Sequence, residues 1–382
     1  MQSMTSPPPT PSRPRERLAG LDFLRGFAAL WVLLFHYIEL VPAAYRPPLS
    51  PYLLHVGWNG VDLFFVLSGF LIGGLLTADR GETRRGFLLR RAFRIYPAYL
   101  VVIVICLAWS RPHLVHEPDL LLAHLFMVHN LVPGFGGAIN GVFWTLGSEF
   151  QFYLLAALLL GFVRRPRVWW TVVMAMLGVS VLSRYGVYHL IQEPAQRFFL
   201  ATQLPGMLGL FAAGFVAVRA RPACRAMIER YFPAFALVGG ALLWLYLRWL
   251  RGHIGDYWDT EGPTVWGRFF TAGVFGYLVL VFACVPPALA RLFHRGGWVY
   301  LGEISYGVYL VHLLVMEKLA LWMPRFAPGL PWYGYLAAIL AVVGLLSVAL
   351  HIGVEKPFIA LGRRLSAPRG ARVPAPVLPE GV

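Results

Sequence analysis

Residues 18–40, LAGLDFLRGFAALWVLLFHYIEL, form an apolar run of 23 positions interrupted by Asp22, Arg25, His36 and Glu39. About 20 mostly apolar residues in helical conformation match the thickness of a hydrocarbon core. The run therefore reads as a membrane-spanning helix that carries ionisable groups at depth, where they are costly and point to function. Nine further runs of similar character follow, so the fold class is all-α and polytopic. The ten predicted spans are 18–40, 58–78, 95–110, 142–163, 168–188, 198–218, 232–250, 266–286, 297–320 and 332–354. Composition agrees: 58% of the 382 residues are hydrophobic and 13% charged, against about a quarter charged in a soluble domain.

An eleventh apolar segment, about 118–133, is shorter and contains His124, His129 and Asn130. Charge counting decides its status, because cytoplasmic loops collect Arg and Lys. If 118–133 does not cross, the loops and tails on the inside hold 23 basic residues and those outside hold 9. If it crosses, every later segment inverts and the count becomes 16 against 16. Ten spans with both termini cytoplasmic, and 118–133 as a re-entrant or interfacial helix, is the reading that keeps the asymmetry. Residues 1–17 and 366–382 are expected to be cytoplasmic tails, the second disordered, around one membrane domain at 18–365. Neither a removable signal peptide nor a second domain is expected, and no internal repeat of the transporter kind is visible.

The net charge of +15 does not indicate nucleic-acid binding. Only Lys318 and Lys356 are lysines; the other 31 basic residues are arginines, clustered in short stretches between apolar runs. The three cysteines, Cys106, Cys224 and Cys284, have no metal or disulfide spacing. His113, His116, His124 and His129 lack a companion carboxylate or cysteine cluster, and His124 and His129 do not share a helical face, so no metal site is expected.

The ionisable residues within the spans fall into an ordered set. On a helical wheel Asp22, Arg25 and His36 lie within roughly 60° of one another, so an acid, a guanidinium and an imidazole share one face. The alternative is a structural Asp22–Arg25 pair with His36 at the interface. Glu149 sits about two turns into the fourth span, with Tyr153 one turn further on the same face. Ser305, Tyr309 and His312 likewise share a face of the ninth span. Counting about 1.5 Å per residue from the cytoplasmic ends puts His36 at about 27 Å, His312 at about 22 Å and Glu149 at about 20 Å. The three groups are therefore expected to converge in the outer half of the membrane.

Asp62, near the outer end of the second span, reads either as a functional acid or as a helix cap. Ser68 lies near mid-depth, and Ser68, Gly69, Gly73 and Gly74 suit close helix packing. Arg90, Arg91 and Arg94 precede the third span on the cytoplasmic side. Arg91 and Arg94, one turn apart, suit a phosphate-bearing ligand or anionic lipid equally. A base near the outer surface and arginines near the inner one suit acyl transfer, with a donor arriving from inside and a hydroxyl from outside. Proton-coupled transport or lipid-carrier flipping through the same buried groups is the alternative.

Several of these stretches together resemble a known family. LDFLRGFAALWVLLFHY, with Arg25 and His36 separated by ten residues, is similar to the first helix of the acyltransferase-3 family of membrane-bound O-acyltransferases. GVDLFFVLSGFLIGGLL, the Arg91-x-x-Arg94 pair before IYPAY, FWTLGSEFQFYLL, ISYGVYLVH and VEKPF (with Glu355 and Lys356) follow in the family's order across about residues 18–360. Thr145 stands where the family often has serine, and keeps the hydroxyl.

The resemblance implies that an acyl group, usually acetyl, passes from cytoplasmic acyl-CoA across the bacterial inner membrane to a hydroxyl of a cell-surface polysaccharide, lipopolysaccharide or related, often lipid-linked, glycan. It implies catalytic roles for Arg25, His36 and Glu149, donor contact for Arg91 and Arg94, and acceptor or structural roles for Tyr309 and His312. Acyl-CoA is then a substrate, and no tightly bound cofactor is expected. Some relatives carry a fused extracytoplasmic domain. Without one, final transfer falls to the membrane domain or to a separate periplasmic partner.

Overall fold

A computed structural model describes residues 18–48, 52–78 and 82–366, and among them every regular element is helical. The helices of eight residues or more begin with α1 (Ala19–Leu40), α2 (Asn59–Thr77), α3 (Arg84–Trp109), α4 (Pro118–Leu125) and α5 (Trp144–Leu159). There follow α6 (Pro166–Leu190), α7 (Pro194–Ala201), α8 (Leu204–Arg230), α9 (Phe232–Arg251) and α10 (Arg268–Phe282). The last are α11 (Pro287–Arg295), α12 (Trp298–Phe326), α13 (Trp332–Leu350) and α14 (Lys356–Ser366).

Nine helices among the described residues are long and apolar enough to cross a membrane, and they coincide with nine of the ten predicted spans. The remaining one, 142–163, holds α5, whose 16 residues extend about 24 Å. The 118–133 segment folds as the eight-residue α4 followed by a 3₁₀ turn at His129–Leu131, too short to cross. The expected tails at 1–17 and 366–382 lie outside the described residues, apart from Ser366, which closes α14.

Several boundaries differ from expectation, chiefly because hydropathy marks only the apolar part of a helix; the sixth span, expected at 198–218, begins instead at Leu204, after the separate α7, and runs on to Arg230. The third span was placed from residue 95, yet α3 begins at Arg84, where the Thr83 hydroxyl accepts from the Gly86 amide at 3.1 Å. Its first three turns are arginine-rich but strongly helix-forming. The last span continues beyond 354, through a π turn at His351–Glu355, into α14. Arg90 of α3 donates to the Ser366 hydroxyl at 2.7 Å, so the two arginine-rich segments occupy the same end of the bundle.

The outer surface is apolar. Leu182, Leu237 and Leu345 are 71%, 75% and 72% exposed, a surface suited to lipid rather than water. Inside, α1 packs along α12 and α2 along α8. Lipid is as apolar as leucine, so such contacts depend on close backbone approach. A Cβ at Gly302 would lie 2.2 Å from the Asp22 carbonyl oxygen, and one at Gly69 would lie 2.2 Å from that of Phe211. Gly74, expected to share this packing role, instead has nothing within 4 Å of its Cβ position. It faces outward from the helix contact.

Candidate active site

The packing of α1 against α12 brings His36 and His312 together. Nδ1 of His36 lies 3.0 Å from the Val32 carbonyl, and Nδ1 of His312 lies 3.1 Å from the Val308 carbonyl. Carbonyls only accept, so each Nδ1 carries its ring's proton. His36 Nδ1 also lies 3.1 Å from His312 Nε2, which must then accept. The remaining nitrogen, His36 Nε2, keeps a free lone pair. The ring borders a cavity of about 350 Å³ whose other walls include Trp58, Asp62, Trp144, Trp258, Arg268 and Tyr309.

Tyr309 anchors the floor of this upper tier. Its hydroxyl is 2.8 Å from that of Thr145, and both lie within hydrogen-bonding distance of the Val142 carbonyl. The retained hydroxyl at 145 therefore has a definite job, tying α5 to α12.

Glu149 belongs to a lower tier. Its carboxylate accepts from Ser68 at 2.6 Å and from Tyr153. The Arg91 guanidinium lies over the Tyr153 ring, 5.5 Å from its centroid. Arg25 sits in the combined field of Arg94, Asp22, Glu149 and Tyr153, and its buried Nε has no hydrogen-bond partner among the described residues. The expected three-way convergence of His36, His312 and Glu149 thus resolves into two levels. Thr145, level with Tyr309, is four residues above Glu149, and His312 is three above Tyr309. That separates Glu149 from the imidazoles by about 10 Å along the axes.

Other candidates take different places. Ser305 is buried and donates to the Gly302 carbonyl at 2.8 Å, so its hydroxyl is used within its own helix. Asp62 makes no helix cap; it is ion-paired with Arg268 of α10. On a continuous helix His124 and His129 would face apart. The chain instead reverses at Met127 (φ +55°), and the two rings stack with centroids 4.2 Å apart.

Sequence reasoning missed Arg184 and Arg268, both buried, which enter it only as two of the nine outer basic residues. Their signal was available: each is an arginine inside a predicted span. The buried pair of His351 Nδ1 and Glu355, at 2.9 Å in the π turn, also gives Glu355 a partner that the motif alone did not reveal.

An all-helical membrane bundle with an intramembrane histidine facing a cavity, above a carboxylate and arginine cluster, defines a polytopic membrane enzyme. The chain belongs to the acyltransferase-3 family, whose acyltransferase domain matches residues 18–351, and it is a membrane acyltransferase. Nodulation protein 10 of Rhizobium leguminosarum bv. viciae is 25% identical over 381 residues, covering 92% of this chain and 95% of that protein. O-acetyltransferase OatA of Staphylococcus aureus is 27% identical over 322 residues, covering 77% of this chain and 50% of that protein. No solved structure matches the chain.

Proposed function

We propose that this protein transfers an acetyl group from acyl-CoA, bound at the arginine-rich end, to a hydroxyl of a cell-surface glycan held in the His36 cavity. The setting is the bacterial inner membrane, with the arginine-rich end in the cytoplasm, a placement the charge asymmetry supports. The observation that carries this reading is the pair of contacts at His36 Nδ1, 3.0 Å from the Val32 carbonyl and 3.1 Å from His312 Nε2, on a ring that borders the cavity, which leaves Nε2 to act as the base.

In the transfer, the acceptor hydroxyl gives its proton to His36 Nε2 as its oxygen attacks the thioester carbonyl carbon. The new C–O bond forms, the C–S bond breaks, and the imidazolium returns the proton to the departing thiolate. His312 Nε2, accepting from Nδ1, favours the charged imidazole at that moment, as an oriented hydrogen-bond partner does in other histidine bases.

Arg25 is eleven residues below His36, about 16 Å along the helix, so it does not reach the reacting carbonyl. Its place is with Glu149, Arg91 and Arg94, where guanidinium groups suit the donor's phosphates. The thioester of coenzyme A sits at the end of an extended arm, which allows phosphates at the lower tier and reaction at the upper one. Delivery to a distant glycan can be completed by this domain or by a separate periplasmic partner.

The name of one relative, O-acetyltransferase OatA, supports acetyl transfer to oxygen. Mass spectrometry of surface glycans from cells with the wild-type protein and with His36→Ala tests the proposal. The expected result is an acetyl increment lost in the variant while membrane insertion is kept. Full acetylation by His36→Ala would end it. Transport of a glycan lipid by reconstituted vesicles without consumption of acyl-CoA would favour the transporter alternative.

A further inference from the structure

The Asp62–Arg268 side of the upper cavity, taken with the layer behind it, contains more positive charge than it neutralises. Arg268, 4% exposed, is ion-paired with Asp62, 2% exposed, and both border the cavity. Behind them Arg184, fully buried, lies in the field of the same Asp62 and of Arg268. Two guanidinium groups thus share one carboxylate.

Their donors are also underused. Arg184 Nη1 donates to the Ala201 carbonyl at 3.1 Å, and the Arg184 and Arg268 guanidinium groups lie over the Trp258 and Trp58 rings, but Arg184 Nε and Nη2, Arg268 Nε and the Tyr257 hydroxyl have no hydrogen-bond partner among the described residues. Tyr257, 5% exposed, is a third member of the same cavity wall. A buried ion costs several kcal/mol unless it is paired and hydrogen-bonded, so a fold that keeps an excess guanidinium here gains most when an anion enters.

We infer that the acceptor entering the His36 cavity is anionic, and that its carboxylate or phosphate docks against Arg268 and Tyr257, with Arg184 supplying the balancing charge from behind. This rests on the proposed placement of the acceptor in that cavity. Guanidinium groups bind both kinds of oxyanion through paired N–H donors. The two sources are an acidic sugar and the phosphate that links a sugar to its carrier. Arg184 acts through charge and is a positioning residue, whereas Arg268 touches the acceptor.

The test is binding, which needs no acyl-CoA and so stands apart from any failure of acyl transfer. Trp58, Trp144 and Trp258 border the cavity, so tryptophan fluorescence of the full chain in nanodiscs reports occupancy. Methyl glucuronide, glucose 1-phosphate and neutral methyl glucoside are titrated separately. At least one anionic probe is expected to bind tenfold or more tightly than the neutral one. The better of the two identifies a sugar carboxylate or a linking phosphate as the source.

Arg184→Gln leaves the Asp62–Arg268 pair in place, and its preference for the anion is expected to fall to near unity. Arg184→Lys, which keeps the charge, is expected to retain most of it. Equal binding of all three probes, no binding of any, or an undiminished preference in folded Arg184→Gln would overturn the inference.

Discussion

Nδ1 of His36 and Nε2 of His312 lie 3.1 Å apart, although 276 residues separate them in the chain. The contact joins the first long helix to one of the last and makes His312 the acceptor that fixes the proton of His36. It follows that His312 is a positioning residue: it touches the base and leaves the face of His36 that borders the cavity open.

His312→Leu removes that acceptor and is expected to lower kcat by about 10²-fold, within the range for a positioned proton-transfer group, with little change in KM. His312→Gln, which offers a carbonyl oxygen, should recover part of the loss. Because the two histidines act as one unit, adding His312→Leu to His36→Ala should reduce activity no further. Steady-state kinetics on the four variants decides; additive losses would contradict the shared role.

The same contact depends on backbone approach lower down. A Cβ at Gly302 would sit 2.2 Å from the Asp22 carbonyl oxygen, so Gly302→Ala must push α12 away from α1. Overpacking of this kind costs about 1–3 kcal/mol, and it should also part the histidines ten residues along. Gly74→Ala meets nothing within 4 Å and is expected to be neutral or to stabilise α2 by about 0.5–1 kcal/mol. Thermal unfolding and activity of both variants should separate them clearly.

These two positions illustrate what the sequence could and could not reveal. Period and length were enough for nine of the spans, because a bilayer demands both from any crossing helix. Shared faces were legible too: Tyr309 and His312 face the site together, as their spacing required. Depth was less so, since helix ends set by hydropathy ignore polar turns such as Arg84–Arg94 in α3. Glu149 lies one tier below the imidazoles, a separation that counting from span ends did not resolve. Partners across the bundle, including Ser68 for Glu149 and Arg268 for Asp62, depend on which helices pack together. No single helix encodes that.

The arginines at the start of α3 carry the donor prediction. Arg94→Ala is expected to raise KM for acetyl-CoA about tenfold while leaving kcat within about twofold, since one charge-assisted hydrogen bond is worth about 1.5–3 kcal/mol. Arg91→Lys keeps the charge but gives up the planar guanidinium that lies over Tyr153, so a smaller rise is expected. Raising the salt concentration should weaken donor binding in the wild type more than in Arg94→Ala. A kcat defect with KM unchanged would remove these residues from donor binding.

The stacked histidines outside the spans make a prediction about pH and stability. His124 Nε2 lies 3.2 Å from the Phe135 carbonyl, so it carries the proton, and Nδ1 accepts from the Tyr99 hydroxyl at 2.8 Å. Burial, then the neighbouring His129, lowers the His124 pKa from the ordinary 6.5 to about 3; burial also lowers that of His129. A histidine held neutral in the fold binds fewer protons than the unfolded chain at every pH between those two values. Stability is therefore fully present above about pH 6.5 and declines as the pH falls toward 3. Between pH 7 and 5, before most carboxylates protonate, the melting temperature of the wild type should fall. His124→Gln, with an amide to meet the same two partners, should show a shallower slope, with the remainder belonging to His129. An identical slope in the variant would mean that His124 takes up its proton without cost to the fold.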